Sequence, residues 1–233
     1  YTVTSDDLQC PFRLEWQWQQ VDRTTALDTS LFSRKCELLL SGYEGNETLT
    51  HFPLLVRLSS DSPVGFAYGN AAVDGSDIRF TDADGNVIPH EIDTWNQAGE
   101  STVWVRVPAV SGTNTKIFMY YGVEDSDRTS LSQNYGSDVW SDHLGVWHMN
   151  INPGDKSTVD ATGRGMNGTM NNPNYCDAAS LGLIGGAFTN SSTAYLKEAF
   201  SDDIRFMPTP FAFSCWAYNY AGSNFAVIWA GSN

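Results

Sequence analysis

The sequence is short of positive charge. Only 13 Lys and Arg stand against 27 Asp and Glu, a formal net charge of −14 over 233 residues. Nucleic acid and anionic membrane surfaces are held by clustered cations, so neither is an expected partner. No run approaches the roughly 20 apolar residues of a membrane span, so no membrane insertion is expected within this segment. No basic stretch leading into an apolar core opens the chain as a secretory signal would. Tyr1 then fits the start of a processed form, and equally an arbitrary cut. Cysteine is scarce too. Cys10, Cys36, Cys176 and Cys215 show no C-x-x-C spacing, which argues against zinc. Four cysteines allow three pairings. Two early and two late favour Cys10–Cys36 and Cys176–Cys215 in an oxidising compartment, with four buried thiols as the alternative. A convincing helical period is missing throughout, as are a G-x-S-x-G elbow and a phosphate loop.

What the chain has in quantity is short alternating runs. Hydrophobic residues make up 41%, ample for a core, and 8 Trp and 10 Tyr are present. The stretch from Asp74 to Pro108 reads as three strands cut by two turns. Ile78 and Phe80 alternate with Arg79 and Thr81, and Asp84-Gly85 supplies a tight reversal. Val87 to Trp95 returns, Asn96 to Glu100 turns again, and Val103, Val105 and Val107 share a face opposite Trp104 and Arg106. Before it, Phe52 to Ser59 puts Leu54, Val56 and Leu58 inward. After it, Thr115 to Gly122 presents Ile117, Met119 and Tyr121 on one side. Short strands with turn signals between them predict an all-β protein of antiparallel sandwiches.

Residues 1–35 read as an N-terminal arm in which Leu14 to Val21 alternates like a strand, able to pair with its own sheet or with another molecule. Residues 36–122 form the first sandwich and 123–140 an acidic linker. Residues 141–233 begin a second β unit. It offers five or six strands before Asn233 against the roughly eight of a jelly roll, so its remaining strands are expected beyond Asn233 or from elsewhere.

The motifs FPLLVRLS, GSDIRFTDADG, HEIDTW, VWVRVP and YYG, from Phe52 to Gly122, resemble the bacterial family known as domain of unknown function 2341. VWHMN, the turn Asp160-Ala-Thr-Gly163, Asn167-Gly168-Thr169, GGAF and FSCWAY resemble the opening half of a concanavalin A/laminin G-like jelly roll. Together the resemblances cover about Leu38 to Gly231. They imply tandem sandwiches in a large secreted or surface protein, or an extracytoplasmic module beside ion-channel motor subunits of the MotA/TolQ/ExbB type. They assign no activity.

Four groups of residues could carry chemistry. Glu91 and Asp93, at i and i+2 on a strand, point the same way roughly 6.5–7 Å apart, in range for sugar hydrolysis. The pair resembles the E-x-D-x-E signature of laminarinase-like glycosidases, but Trp95 stands where the third carboxylate belongs, so a structural role is expected and no catalytic residue is assigned. Asp82-Ala83-Asp84-Gly85-Asn86 looks like a calcium loop, yet Asp93 falls where an EF-hand has Glu, so a hairpin turn is the better account. Asp160, Gly163 and Asn167 are the candidate ligands of a structural calcium, the one cofactor implied; the alternative is a side-chain-capped turn. His143 and His148 lack further ligands at metal spacing. Sequons at Asn46, Asn167 and Asn190 matter only in a glycosylating host.

The expected function is a non-catalytic extracytoplasmic binding or adhesion module that contacts glycans or surface proteins. Trp95, Trp104 and Trp147 are its candidate ligand-binding rings. The alternatives are a structural subunit of an extracellular fibre or motor assembly, self-associating through the N-terminal arm, and, last, a glycoside hydrolase.

Overall fold

The computed structural model describes residues 26–131, 134–150, 157–170, 176–179, 184, 187–190, 196–198 and 212–216. The expected arm strand at Leu14 to Val21 lies outside the described residues, as do most of the later strand candidates. The chain is all-β with antiparallel pairing, and among the described residues its helices are 3-10 turns of three to five residues.

Seven strands build the first unit: β1 (Arg34–Leu40), β2 (Leu49–Leu58), β3 (Arg79–Thr81), β4 (Val87–Ile88), β5 (His90–Thr94), β6 (Ser101–Val110) and β7 (Thr115–Tyr121). They form two sheets, ordered β1-β7-β3-β4 and β2-β6-β5. One core cluster draws on both, so the sheets pack face to face: Cys36, Phe80, Ile117 and Met119 from one, Val56, Leu58, Val103, Val105 and Val107 from the other. The inward rows are those the alternation predicts, and Leu58, Val103, Val105, Ile117, Met119 and Tyr121 are all fully buried. Each such aliphatic side chain contributes about 1.5–3 kcal/mol, which is why the register cannot slip by one residue.

The structure departs from the alternation in three places. Arg79 and Thr81 are buried along with Ile78 and Phe80. Residues 26–33 pass over that outer face, with Ala26 bridging Asn86 and Phe32 set edge-on to Tyr120 at 5.8 Å. Secondly, the run from Val87 to Trp95 is not one strand. It changes sheets at Pro89, which has no N–H to give a ladder, so β4 pairs with β3 while β5 pairs with β6. Thirdly, the loop 60–75 is part of the core. It sends in Phe66, Tyr68 and Ala72, and the Tyr68 hydroxyl donates to the Leu58 carbonyl at 2.9 Å.

Asp77, fully buried, ties this loop to the end of β7. Its carboxylate accepts from the amides of Ala72 at 2.8 Å, Gly122 at 2.8 Å and Val123 at 3.1 Å. The predicted Asp82–Asn86 hairpin turn is present: Asp82 accepts from the amides of Asp84 and Asn86 and from the Asn86 side chain.

The stretch 123–140, expected as a linker, is packed against the sandwich from residue 134 on, and residues 141–150, expected to open the second unit, continue the same layer. Residues 134–150 lie against the outer face of β5 and β6, with Val139 and Trp140 buried. Beyond them, β8 (Ser157–Thr158), β9 (Gly168–Met170), β10 (Cys176–Ala179), β11 (Ala187–Asn190) and β12 (Leu196–Glu198) make the antiparallel sets β12-β9-β8 and β10-β11.

Candidate functional site

Two outer faces of the sandwich carry chemistry-bearing side chains. The first belongs to β5 and β6. Glu91 and Asp93 point outward from β5, and Glu91 sits directly opposite Trp104 of β6. Residues 134–150 close over them as a strap. At its start the Asn134 side chain accepts from the His90 amide at 3.1 Å and donates to the His90 carbonyl at 2.7 Å. At its middle Trp140 packs edge-on to Trp104, 5.2 Å between centroids, and its indole N–H donates to Glu91. Near its end His148 stacks on Trp104 at 6.0 Å and 19°, with Nε2 3.0 Å from the same Glu91 oxygen. Asn150 donates to Asp93 at 2.7 Å, whose other oxygen accepts from Thr102 Oγ1 at 3.1 Å. Arg106 and His51 reach Asp142 at 2.8 and 3.2 Å.

Charge sets the character of this clasp. Burial pulls the His148 pKa down, but the hydrogen bond and charge of Glu91, with Asp93 behind it, pull it up and prevail. The fold therefore favours the charged form of His148 beside that carboxylate. Inside the sandwich His90 shows the reverse: burial, with Arg79 nearby, lowers it to about 3. As acid and base for sugar hydrolysis, Glu91 and Asp93 would need open space between them and the substrate bond. Here both carboxylates already accept donors from the strap, and the rings of Trp140 and His148 fill the space above Glu91.

The second face belongs to β1 and β7. Lys35 lies over two rings of β7, its Nζ 3.8 Å from the centre of Phe118 and 5.3 Å from that of Tyr120. Beside them an open hollow of about 290 Å³ is lined by Thr29, Phe32, Ser33, Arg34, Lys35 and Tyr120.

The predicted ligand rings do not form one platform. Trp104 lies between Trp140 and His148. Trp147 is half-buried and donates from its indole to the Met166 carbonyl at 2.7 Å. Trp95 turns toward the core, where it meets Phe66 and Tyr68 edge-on. The register shift between Ile92 and Thr94 lets it leave the face of Glu91 and Asp93. Its ring also fills the space where a Cβ on Gly75, at φ +73, would stand.

The structure does bring Asp160, Gly163 and Asn167 together, as a turn. The buried Asp160 carboxylate accepts from the amides of Val146 at 3.2 Å, Thr162 at 3.1 Å and Met166 at 3.3 Å, and from the Thr162 hydroxyl at 2.7 Å. Asn167 Oδ1 accepts from the Asp160 amide at 3.0 Å, and the Gly163 amide donates to the Asp160 carbonyl at 3.2 Å. Calcium takes six to eight oxygens. These oxygens face N–H and O–H donors instead, so the donor set does not fit the ion. Among the described residues no group of three or more His, Cys, Asp or Glu could hold a metal. Cys36 and Cys215 are free thiols, and burial pushes the Cys36 thiol up. Cys10 and the Cys176 side chain lie outside what is described.

Sequence reasoning missed the strap residues Asn134 and Trp140, the Asp77 hub and the Lys35 hollow. A Val-Trp pair inside an acidic stretch was the available signal for the strap. The hollow depends on residues about 85 positions apart meeting in the β1–β7 register.

Fold and clasp together define an all-β protein built on an antiparallel sandwich whose outer face is sealed by its own chain. Residues 74–141 match the family described as Domain of unknown function (DUF2341). The match continues past Gly122 through the first half of the strap, in keeping with the strap being part of the unit it covers. No curated protein and no solved structure matches the chain.

Proposed function

We propose that this chain is a non-catalytic binding module of a large extracytoplasmic bacterial protein, contacting glycans or other surface components. The observation that carries it is the open hollow on the β1–β7 face, where cations and aromatic rings meet. Engagement of Glu91 and Asp93 in the clasp supports the non-catalytic part. The acidic composition supports a place outside the cytoplasm, and the short antiparallel strands after residue 156 support a concanavalin A/laminin G-like second unit. The test is retention of the whole chain on an array of bacterial extracellular polysaccharides. Saturable retention that Lys35→Glu abolishes is the expected result. No retention on any surface, or retention indifferent to Lys35→Glu, overturns the reading.

One observation favours a second reading, a structural subunit that self-associates. β1 ends its sheet with one side unpaired among the described residues, and Leu39 on it is 52% exposed. An open strand edge invites pairing with another chain. Light scattering that gives a monomer at every concentration removes this reading.

A further inference from the structure

The hollow on the β1–β7 face has a charge character at odds with the rest of the molecule. Around it lies a chain of net charge −14. Four other cations of the sandwich meet carboxylates: Lys116 with Glu37, Arg57 with Glu100, Arg106 with Asp142, Arg128 with Asp125. Arg34 and Lys35 differ from these. The Arg34 guanidinium donates to the neighbouring Ser33 carbonyl at 3.3 Å, and Lys35 rests over the rings of Phe118 and Tyr120. Neither meets a carboxylate among the described residues. A lysine held over aromatic faces is positioned without being neutralised, since the rings accept its charge field but leave its N–H donors available.

Each wall of this hollow has a local cause. The 3-10 turn Thr29–Leu31 is started by Asp28, whose carboxylate accepts from the Ser30 amide at 3.1 Å. The turn brings Phe32 edge-on to Tyr120. The Ser33 amide and hydroxyl both donate to the Gly122 carbonyl, at 3.1 and 2.8 Å, which fixes where Arg34 begins β1. Register then sets Arg34 opposite Tyr121 and Lys35 opposite Tyr120. The outcome is a shallow recess with two cations at its rim and two aromatic walls. Its volume of about 290 Å³ sits at the lower end of ligand pockets, enough for one ring of a longer chain that runs on over the surface.

We propose that this hollow is a subsite for the acidic group, carboxylate or sulfate, of an extracellular polysaccharide. Arg34 and Lys35 would meet the charge, and Phe32 and Tyr120 would contact the apolar edge of the sugar. A polymer with one charge per sugar repeat suits the site better than nucleic acid, whose charge every 1.7 Å or so would be repelled by the acidic surface around it. The inference rests on the binding-module reading and narrows its ligand.

The experiment is calorimetric titration of the full chain at low and moderate salt with three probes: oligogalacturonate, a sulfated dextran oligomer and a neutral cello-oligosaccharide. At least one acidic probe is expected to bind, more weakly at higher salt, and the neutral one not to. Lys35→Gln and Arg34→Gln should each weaken that binding by about tenfold, and Lys35→Arg should restore it. Lys116→Gln, on the same face but already paired with Glu37, is the control and should change little. Unaltered thermal unfolding of the variants shows that they are folded. Binding of the neutral probe alone, untouched by the Arg34 and Lys35 variants, sinks the acidic subsite and leaves the module reading standing. An equal loss in Lys116→Gln reduces the effect to general charge and also sinks it. No binding of any probe fells both.

Discussion

Asp77 and Asp160 do similar work in different parts of the chain. Each is a buried carboxylate that collects the amide donors of a turn and so fixes where a loop meets a strand. A buried charge is tolerated only when its lone pairs are met, and charge-assisted bonds to N–H are the stronger kind. Asp77→Ala strands three amides and should lower the unfolding free energy by about 3 kcal/mol or more, read by urea denaturation. Asp77→Asn should cost less, because it keeps one accepting oxygen. The Asp77 hub was not legible from the chain, whereas a side-chain-capped turn at Asp160 was one of the two readings its motif allowed. The inward rows of β6 and β7 were legible, because alternation is a property of neighbours. Asp77 finds Gly122 and Val123 45 positions or more away, and one Asp beside a turn looks like any other until the strands have paired.

The strap shows the opposite kind of illegibility. The acidic composition of residues 123–140 made that part read as a linker and residues 141–150 as the start of the second unit, yet Asn134, Trp140, His148 and Asn150 each bond the outer face of β5. Composition reports what a segment is made of, and here a few residues with specific partners outweigh the rest. Pro89 tells the same story within a strand: the pattern from Val87 to Trp95 runs through it, but the missing N–H marks the change of sheet. Trp140→Ala removes a buried ring that packs against both Trp104 and His148 and takes one donor from Glu91. It should destabilise by about 3–5 kcal/mol and expose the amides of β5 and β6 to hydrogen exchange before those of β1 and β7. Uniform loss of protection across both sheets would show that the strap is not a separate layer.

The two histidines give the whole unit a stability that peaks near their ordinary pKa of 6.5. His148 is raised in the fold, so its contribution is complete below 6.5 and fades as pH climbs through its folded value. His90 is lowered to about 3, so the unfolded chain takes up a proton that the folded one refuses, and stability falls from 6.5 down toward 3. Unfolding free energy against pH should therefore form a dome. His148→Gln should flatten its alkaline side and His90→Leu its acid side; a profile unchanged by either substitution removes the account. The unit also has a mechanical character, set by the pairing of its first and last strands. Ser33 and Gly122 are hydrogen-bonded neighbours, so the polypeptide enters and leaves at one corner. With the strap in place, tension reaching the unit from its two ends acts across both layers, from β1 on one side to the clasp on the other. Once Trp140 and His148 let go, the same pull meets β1 and β7 at their shared corner and opens them like a zip, one rung at a time. The clasp is thus the fuse of any longer thread in which this domain hangs.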